Sequence, residues 1–187
     1  CWGWPVAEAL KIRPLHVTFV CSGNICRSPM AEKMFAHQIS ERGLDGLVRV
    51  SSAGTGGWHV GAGADDRAVR VLRDRGYPTD HRAAQVGDDH LSADMVVALG
   101  RNHFRILTDW GVDPDRLRMM RSFDPRSGAH VPDVEDPYYG DLTDFEEVFT
   151  VLESALPGLH AWVDARLAEP GTAEPGTIEH GTTEHGA

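Results

Sequence analysis

The stretch Cys21-Ser22-Gly23-Asn24-Ile25-Cys26-Arg27-Ser28-Pro29 joins two segments of opposite pattern. Before it, residues 15–20 are apolar and rich in β-branched side chains, which predicts a buried strand. After it, residues 30–42 repeat apolar side chains every four positions, which predicts an amphipathic helix. Pro29 suits the first turn of a helix, because the N–H that it lacks would have had no intrahelical partner. The stretch is therefore a loop from a strand end to a helix start, where backbone N–H groups and the helix dipole favour an anion.

Two residues of this loop, Cys21 and Arg27, are separated by five others. A loop of this length can turn its amides toward one oxyanion, while the guanidinium donates two parallel hydrogen bonds to it. The amides, the dipole and the arginine all favour the thiolate form of Cys21. A thiolate aimed at a bound phosphorus predicts a phosphocysteine intermediate. A lone cysteine is often a small buried hydrophobe instead, but Gly23, Asn24 and Ser28 around this one favour the nucleophile.

Length and composition predict an ordinary globular domain. The chain has 187 residues, of which 41% are apolar and 25% charged, and its net charge is −10. This length predicts one domain with a real core, and the composition is typical of soluble proteins. Lys and Arg form no cluster that would track a phosphate backbone, so we expect no nucleic-acid partner. We also expect no membrane partner, because no apolar run is long enough to cross a bilayer.

The cysteine content predicts a compartment. Cys1, Cys21 and Cys26 are few and odd in number, which indicates a reducing compartment with a reactive thiol and not a disulfide framework. The first ten residues lack the charged and apolar regions of a signal peptide. We therefore expect a cytoplasmic protein, with signal-less secretion left open, and we treat residues 1–13 as a flexible N-terminal extension.

Strand and helix patterns alternate along the chain. Strands are predicted at residues 15–20, 47–53, 94–99 and 117–120. Helices are predicted at residues 30–42, 64–75, 101–110 and 141 to about 167, the last bent or broken at Pro157. This alternation predicts an α/β fold with an open parallel sheet and helices on both faces, which binds ligands at the carboxyl ends of its strands. From residue 169 a five-residue repeat with almost no large apolar side chains predicts a disordered tail.

Displacing an aryl alcohol from phosphate calls for a proton donor at the leaving oxygen, so a carboxylic acid should face the cysteine. Asp-Pro occurs three times, at Asp113, Asp124 and Asp136, and by itself predicts only a turn. We favour Asp136, because two aromatic residues follow it in 136–140, a loop ahead of the last helix. We assign Asp113 and Asp124 to turns and interpret Asp133 as a solvated charge in a loop.

The run from Cys21 to Glu32, Cys-x-Gly-Asn-Ile-Cys-Arg-Ser-Pro-Met-Ala-Glu, resembles the signature of the low-molecular-weight protein tyrosine phosphatases. Residues 136–140 resemble the Asp-Pro-Tyr-Tyr loop of the same family, whose aspartate is the general acid. The resemblance covers residue 15 to about residue 167 and implies a phosphatase domain at 14–168 with a four-stranded parallel sheet. It implies hydrolysis of phosphotyrosine in proteins or peptides, and of small aryl phosphates, without a cofactor or metal. We expect a monomer.

The resemblance also implies roles for residues around the nucleophile. Asn24 helps to hold the strained loop, and the Ser28 hydroxyl bonds the sulfur of Cys21. Ser52 and His81 match the family's supporting serine and histidine. The phosphate-binding residues are then Ser22, Gly23, Asn24, Ile25, Cys26, Arg27 and Ser28.

Aromatic residues are candidates for the substrate cleft. Trp58, Tyr138 and Tyr139 are expected to form its walls, because large aromatic side chains suit a flat aryl ring. Trp58 lies in a glycine-rich loop, where core packing explains it less well. We assign Trp110 and Trp162 to the core.

Three further positions carry expectations from the resemblance. Ile25 narrows the pocket toward phosphotyrosine, since related arginine phosphatases tend to have Thr there. Cys26 can form a reversible disulfide with Cys21 that protects the nucleophile, and a buried structural thiol is an equal alternative. Gly100 stands where the family commonly has Asp, so the helix that follows has a poorer cap.

Three other functions are alternatives for this sequence. A thiol-dependent arsenate reductase resembles this fold but needs additional cysteines, and none follows Cys26. A protein arginine phosphatase is disfavoured by Ile25. A non-catalytic phosphotyrosine-binding module would be expected to have lost Cys21, Arg27 or Asp136, and all three are present. No Gly-x4-Gly-Lys motif for nucleotide binding occurs, and no cluster has metal-ligand spacing.

Overall fold

The computed structural model describes residues 13–169, and a four-stranded parallel sheet lies at its centre. The strands are ordered β2-β1-β3-β4, with β1 at Leu15–Cys21, β2 at Val48–Gly54, β3 at Met95–Ala98 and β4 at Leu117–Met119. Every residue of β1 is buried, as expected for an inner strand of a parallel sheet covered on both faces. The predicted open parallel sheet is confirmed. Most of the predicted extension and tail falls at residues 1–12 and 170–187, outside the described residues.

Within residues 13–169, five helices connect and cover the strands. They are α1 at Arg27–Glu41, α2 at Asp66–Asp74, α3 at Asp88–Leu91, α4 at Arg101–Asp109 and α5 at Leu142–Ala168. The short α3 has no counterpart in the prediction. Three short 3₁₀ turns flank β4, at Pro114–Arg116, Met120–Phe123 and Pro125–Ser127. None of the helices within residues 13–169 is long and apolar enough to serve as a membrane span.

Helix α5 runs through Pro157 without a break, so it is one continuous element. Proline removes one backbone donor, which leaves the carbonyl of residue 153 without its helical partner. Both Glu153 and Pro157 lie on the exposed face of the helix. Water can therefore satisfy the freed carbonyl, and the buried face keeps its packing.

The sheet divides the apolar core into two clusters, because side chains alternate between the faces of a strand. The larger cluster packs α1, α2 and α5 on one face, around Phe19 and Phe35. The smaller cluster lies on the opposite face, where Leu107 of α4 packs near Val20. Helices therefore cover both faces, as predicted.

Trp110 is not a core residue, contrary to prediction: it is 46% exposed. Helix α4 ends at Asp109, and the left-handed turn at Gly111 brings Val112 into the smaller cluster in its place. Trp162, which was also assigned to the core, is partly buried against the larger cluster.

The start of α4 is capped from a distance. Gly100 offers no capping side chain, but the Asp133 carboxylate accepts the N–H of Arg101 at 2.9 Å. A Cβ on Gly100 would lie 3.5 Å from that carboxyl carbon. Asp133 is therefore more than the solvated charge that was predicted, and it supplies the cap that Gly100 lacks.

Gly158 allows α5 to touch the Met120–Phe123 turn, and an added Cβ would overlap the carbonyl oxygen of Phe123. We predict that Gly158→Ala lowers the free energy of unfolding by about 1–3 kcal/mol. This would oppose the ordinary preference of helices for Ala over Gly, about 1 kcal/mol. Urea unfolding measures the change, and Gly46→Ala, with nothing within 4 Å of its Cβ, is the control. If the Gly158→Ala protein were as stable as the original, the contact of α5 with the Phe123 carbonyl would not require glycine at this position.

Candidate active site

The 21–27 loop is held from outside through its carbonyl groups. Four carbonyl oxygens accept hydrogen bonds at 2.8–3.0 Å: those of Cys21, Ser22, Asn24 and Ile25, from Thr55 N, Gly56 N, His81 Nε2 and Asp65 N respectively. A trans peptide points its N–H away from its carbonyl. The amides that follow these four carbonyls therefore face the inside of the ring, where an anion can accept from them.

Gly54 lets the loop sit against the end of the neighbouring strand. It pairs with Cys21 in the register of β1 and β2. A Cβ at this position would lie 2.6 Å from the carbonyl oxygen of Ser22, closer than real atoms approach. Any larger residue here would push the loop away from β2.

Asn24 is the fully buried centre of a hydrogen-bond network. Its side-chain NH₂ donates to Ser28 Oγ at 2.8 Å and to Ser52 Oγ at 2.9 Å, and its Oδ1 accepts the N–H of Ala84 at 2.9 Å. Its φ is +57°, a left-handed conformation that Asn adopts more readily than most residues. The side chain thus stabilises the backbone turn on which the ring depends. His81 donates to the Asn24 carbonyl through Nε2, which fixes the tautomer of the ring.

The network ends at the cysteine sulfur. Ser28 Oγ lies 2.8 Å from Cys21 Sγ and already accepts from Asn24, so its own proton is free to point to sulfur. Such a bond stabilises a thiolate. At the other end Ser52 donates to the Glu32 carboxylate at 3.1 Å. The sequence motif contained Glu32, but nothing in it indicated this contact.

Arg27, the first residue of α1, is 7% exposed and lines the cavity over the loop. One guanidinium nitrogen donates to the carbonyl of Val134 at 3.0 Å, and the other lies 3.7 Å from the carboxylate of Asp136. Asp136 also accepts the N–H of Tyr138 at 3.1 Å, which aims its side chain. The cation of the loop and the candidate acid therefore face each other across one space.

That space is a cavity of about 340 Å³ above the loop. The predicted wall residues Ile25, Trp58, Tyr138 and Tyr139 all line it, together with His59, which the sequence analysis did not select. Trp58 is 75% exposed and Tyr139 92% exposed. Exposed aromatic rings around a cavity with a polar floor can hold an aromatic ligand.

His103 is a second residue that sequence reasoning missed. It is buried on α4, and its Nε2 lies 2.8 Å from Ser22 Oγ. Burial, aided by the charge of Arg27, lowers the pKa of His103 to about 4, so the ring is neutral at neutral pH. It can position Ser22 without adding charge to the site.

The two cysteines of the loop differ in their surroundings, and both are free thiols. Burial raises the pKa of Cys26 to about 12, with further contributions from nearby negative charges. Cys26 is therefore protonated at neutral pH, and only Cys21 has the Ser28 hydroxyl beside its sulfur. No group of three His, Cys, Asp or Glu side chains within residues 13–169 is placed to hold a metal ion.

Asp113 and Asp124 act as turn formers, as predicted. The carboxylate of Asp113 accepts the N–H of residue 115, and that of Asp124 accepts the N–H of residue 126. Neither lines the cavity, which leaves Asp136 as the Asp-Pro carboxylate that lines the same cavity as Cys21.

Comparison with known proteins agrees with this geometry. Residues 16–169 match the family model described as low molecular weight phosphotyrosine protein phosphatase. The chain is 72% identical over 158 residues to low molecular weight protein-tyrosine phosphatase A of Mycobacterium tuberculosis, covering 84% of this chain and 97% of that protein. A protein tyrosine phosphatase structure from Entamoeba histolytica matches with a TM-score of 0.74 and 30% identity, covering 81% of this chain and 97% of that one. The YwlE arginine phosphatase of Bacillus subtilis matches with a TM-score of 0.71 and 30% identity, covering 80% and 95%.

The role of Asn24 can be separated into its hydrogen bonds and its backbone conformation. We predict that Asn24→Gly destabilises the protein by about 1–3 kcal/mol, because buried partners lose their bonds. Asn24→Ala should cost about 1 kcal/mol more, since Ala is strained at positive φ and Gly is not. Urea unfolding measures both, with the exposed Asn102→Ala as control. Equal stability of the Gly and Ala variants would contradict the role of the left-handed backbone conformation. No loss of stability in either variant would contradict the role of the side-chain hydrogen bonds.

Proposed function

Because the chain belongs to the low molecular weight phosphotyrosine protein phosphatase family, we propose that Cys21, Arg27 and Asp136 carry its catalysis. The protein is a tyrosine phosphatase that hydrolyses the phosphate ester of phosphotyrosine through a phosphocysteine intermediate. The proposal for these three residues rests on one observation: all three line the same cavity, with the guanidinium and the carboxylate 3.7 Å apart.

In the first step the thiolate of Cys21 attacks the phosphorus atom of the bound ester. The inward amides of the 21–27 loop and the guanidinium of Arg27 hold the non-bridging oxygens and stabilise the charge that spreads over them. The S–P bond forms as the bond to the aryl oxygen breaks. Asp136, in its protonated form, donates its proton to that oxygen, so that a neutral phenol leaves.

In the second step water releases the phosphate. Asp136, now a carboxylate, accepts a proton from the attacking water. The S–P bond breaks, and the electron pair returns to Cys21. The hydroxyl of Ser28, 2.8 Å from the sulfur, stabilises the departing thiolate.

The cavity favours an aryl ester. Cys21 is 3% exposed, so a phosphate group must reach it at the base of the cavity. Trp58, Tyr138 and Tyr139 offer ring surfaces along the way, which suit the phenyl ring of phosphotyrosine and leave a short phosphoserine with little to contact.

We assign phosphotyrosine proteins as substrates and the cytoplasm as the location. The nucleophile must stay reduced to act, which a reducing compartment ensures.

Both thiols of the loop, Cys21 and Cys26, are free, so we also propose that they form a reversible disulfide under oxidation.

Asp136→Ala tests the acid. We predict that kcat/KM falls on the order of 10²–10⁴-fold for aryl phosphates with weakly acidic phenols, and least for those whose phenols leave without a proton. A leaving-group series measures this, and Cys21→Ser, which should abolish turnover in every case, identifies any contaminating activity. Equal losses along the series would remove Asp136 from the role.

Ile25→Thr tests substrate choice. Ile25 lines the cavity and packs partly against the core, so a smaller polar side chain would widen the base of the site. We predict that the ratio of phosphoarginine to phosphotyrosine turnover rises, measured on matched peptides. Ile25→Val controls for volume alone. An unchanged ratio would contradict the assignment of Ile25 as a selective residue.

A further inference from the structure

Arg67 of α2 lies outside the catalytic trio but contacts the segment that carries the proposed acid. Its guanidinium donates to the carbonyl of Tyr138 at 2.9 Å and to the carbonyl of Gly140 at 2.7 Å. The same group lies 4.5 Å above the ring of Phe145, near the start of α5. One side chain thus binds the backbone on the carboxyl side of Asp136.

The guanidinium is itself held by Asp65. Both carboxylate oxygens of Asp65 accept from it at 3.0 Å, and Asp65 also accepts the backbone N–H of Arg67 at 2.9 Å. The side-chain hydrogen bonds from Arg67 lower the pKa of Asp65, so this carboxylate is ionised at neutral pH.

Asp65 connects the pair to the nucleophile loop. Its backbone N–H donates to the carbonyl of Ile25 at 2.8 Å, which is one of the four contacts that hold the carbonyls of the ring outward. A continuous path of hydrogen bonds therefore runs from the 21–27 loop through Asp65 and Arg67 to the carbonyls at 138 and 140.

The amino side of the acid has separate anchors. The carbonyl of Val134 accepts from Arg27 at 3.0 Å, its N–H donates to the carbonyl of Leu99 at 2.8 Å, and Asp133 caps α4. Asp136 lies between these anchors and the contacts of Arg67. Its position in the cavity that Cys21 also lines therefore depends on both sides being held.

We propose that Arg67 is a positioning residue for phosphoryl transfer: it fixes the 136–140 segment over the 21–27 loop and so sets the reach of the Asp136 carboxyl to the leaving oxygen. This inference rests on the proposed function, in which Asp136 is the general acid. The planar fork of arginine suits the task, because it donates to a carboxylate and to two carbonyls at once, which a lysine ammonium cannot match in geometry.

The test compares Arg67→Met with Arg70→Met. Arg70 is an exposed arginine of the same helix, so both variants lose one positive charge and keep an unbranched stem. For Arg67→Met we expect kcat/KM to fall by about 10–100-fold for phosphates of weakly acidic phenols, because a misplacement of about 1 Å can cost 10²-fold. Esters of strongly acidic phenols, which need no proton, should change by less than about threefold. Arg67→Lys should lie between Arg67→Met and the original, and Arg70→Met should change neither class.

Two further measurements separate positioning from folding and from the acid assignment itself. Thermal unfolding establishes that each variant is folded at the assay temperature, and Arg67→Met in an Asp136→Ala background should add no further dependence on the leaving group. If Asp136→Ala steepens the leaving-group dependence while Arg67→Met slows all esters equally or not at all, Arg67 does not position the acid. If Asp136→Ala itself shows no such dependence, the acid assignment fails and this inference fails with it.

Discussion

The active site depends on a single constraint: a ring that turns its amides inward must turn its carbonyls outward, and each of those needs a donor. A buried carbonyl without a partner costs about 1–3 kcal/mol. The fold supplies the donors from three places, which are the end of β2, the His81 side chain and the residue before α2. Asn24 completes the arrangement from within, through a left-handed backbone and a side chain that bonds two buried serines and the backbone N–H of Ala84. The surrounding loops are therefore parts of the anion site although they do not touch the anion.

Much of this fold follows from local pattern. The four strands and the four long helices were predicted from periodicity, because each buries one face or lies wholly inside. The 21–27 loop was predicted for the same reason, since a strand, a glycine-containing loop and Pro29 are neighbours in the chain. The failures were equally physical. Helix α4 ends one residue before Trp110, which leaves that ring in solvent. Of the bend or break predicted at Pro157, the break does not occur, because the missing hydrogen bond faces water.

The contacts that sequence reasoning missed join residues far apart in the chain. Ser22 and His103 are 81 positions apart, and Arg67 and Tyr138 are 71 apart. No period connects such pairs, and nothing in the sequence next to either residue indicates its partner. Asp133 was missed for a related reason. A cap is sought next to its helix, but this one comes from the segment that holds Asp136, so the stability of α4 and the placement of that segment are coupled.

A backbone segment that is hydrogen-bonded at both ends is restrained from moving as a hinged lid. The segment that carries Asp136 is held by a hydrogen bond to Val134 on one side and by the hydrogen bonds of Arg67 on the other. These bonds restrict a hinged opening of the segment. The rings of Trp58 and Tyr139, which line the cavity, are exposed. Exposed side chains change rotamer within picoseconds to nanoseconds, whereas lid motions take microseconds or longer. We therefore expect ligand entry to require rotation of these side chains and not a slower rearrangement of the main chain.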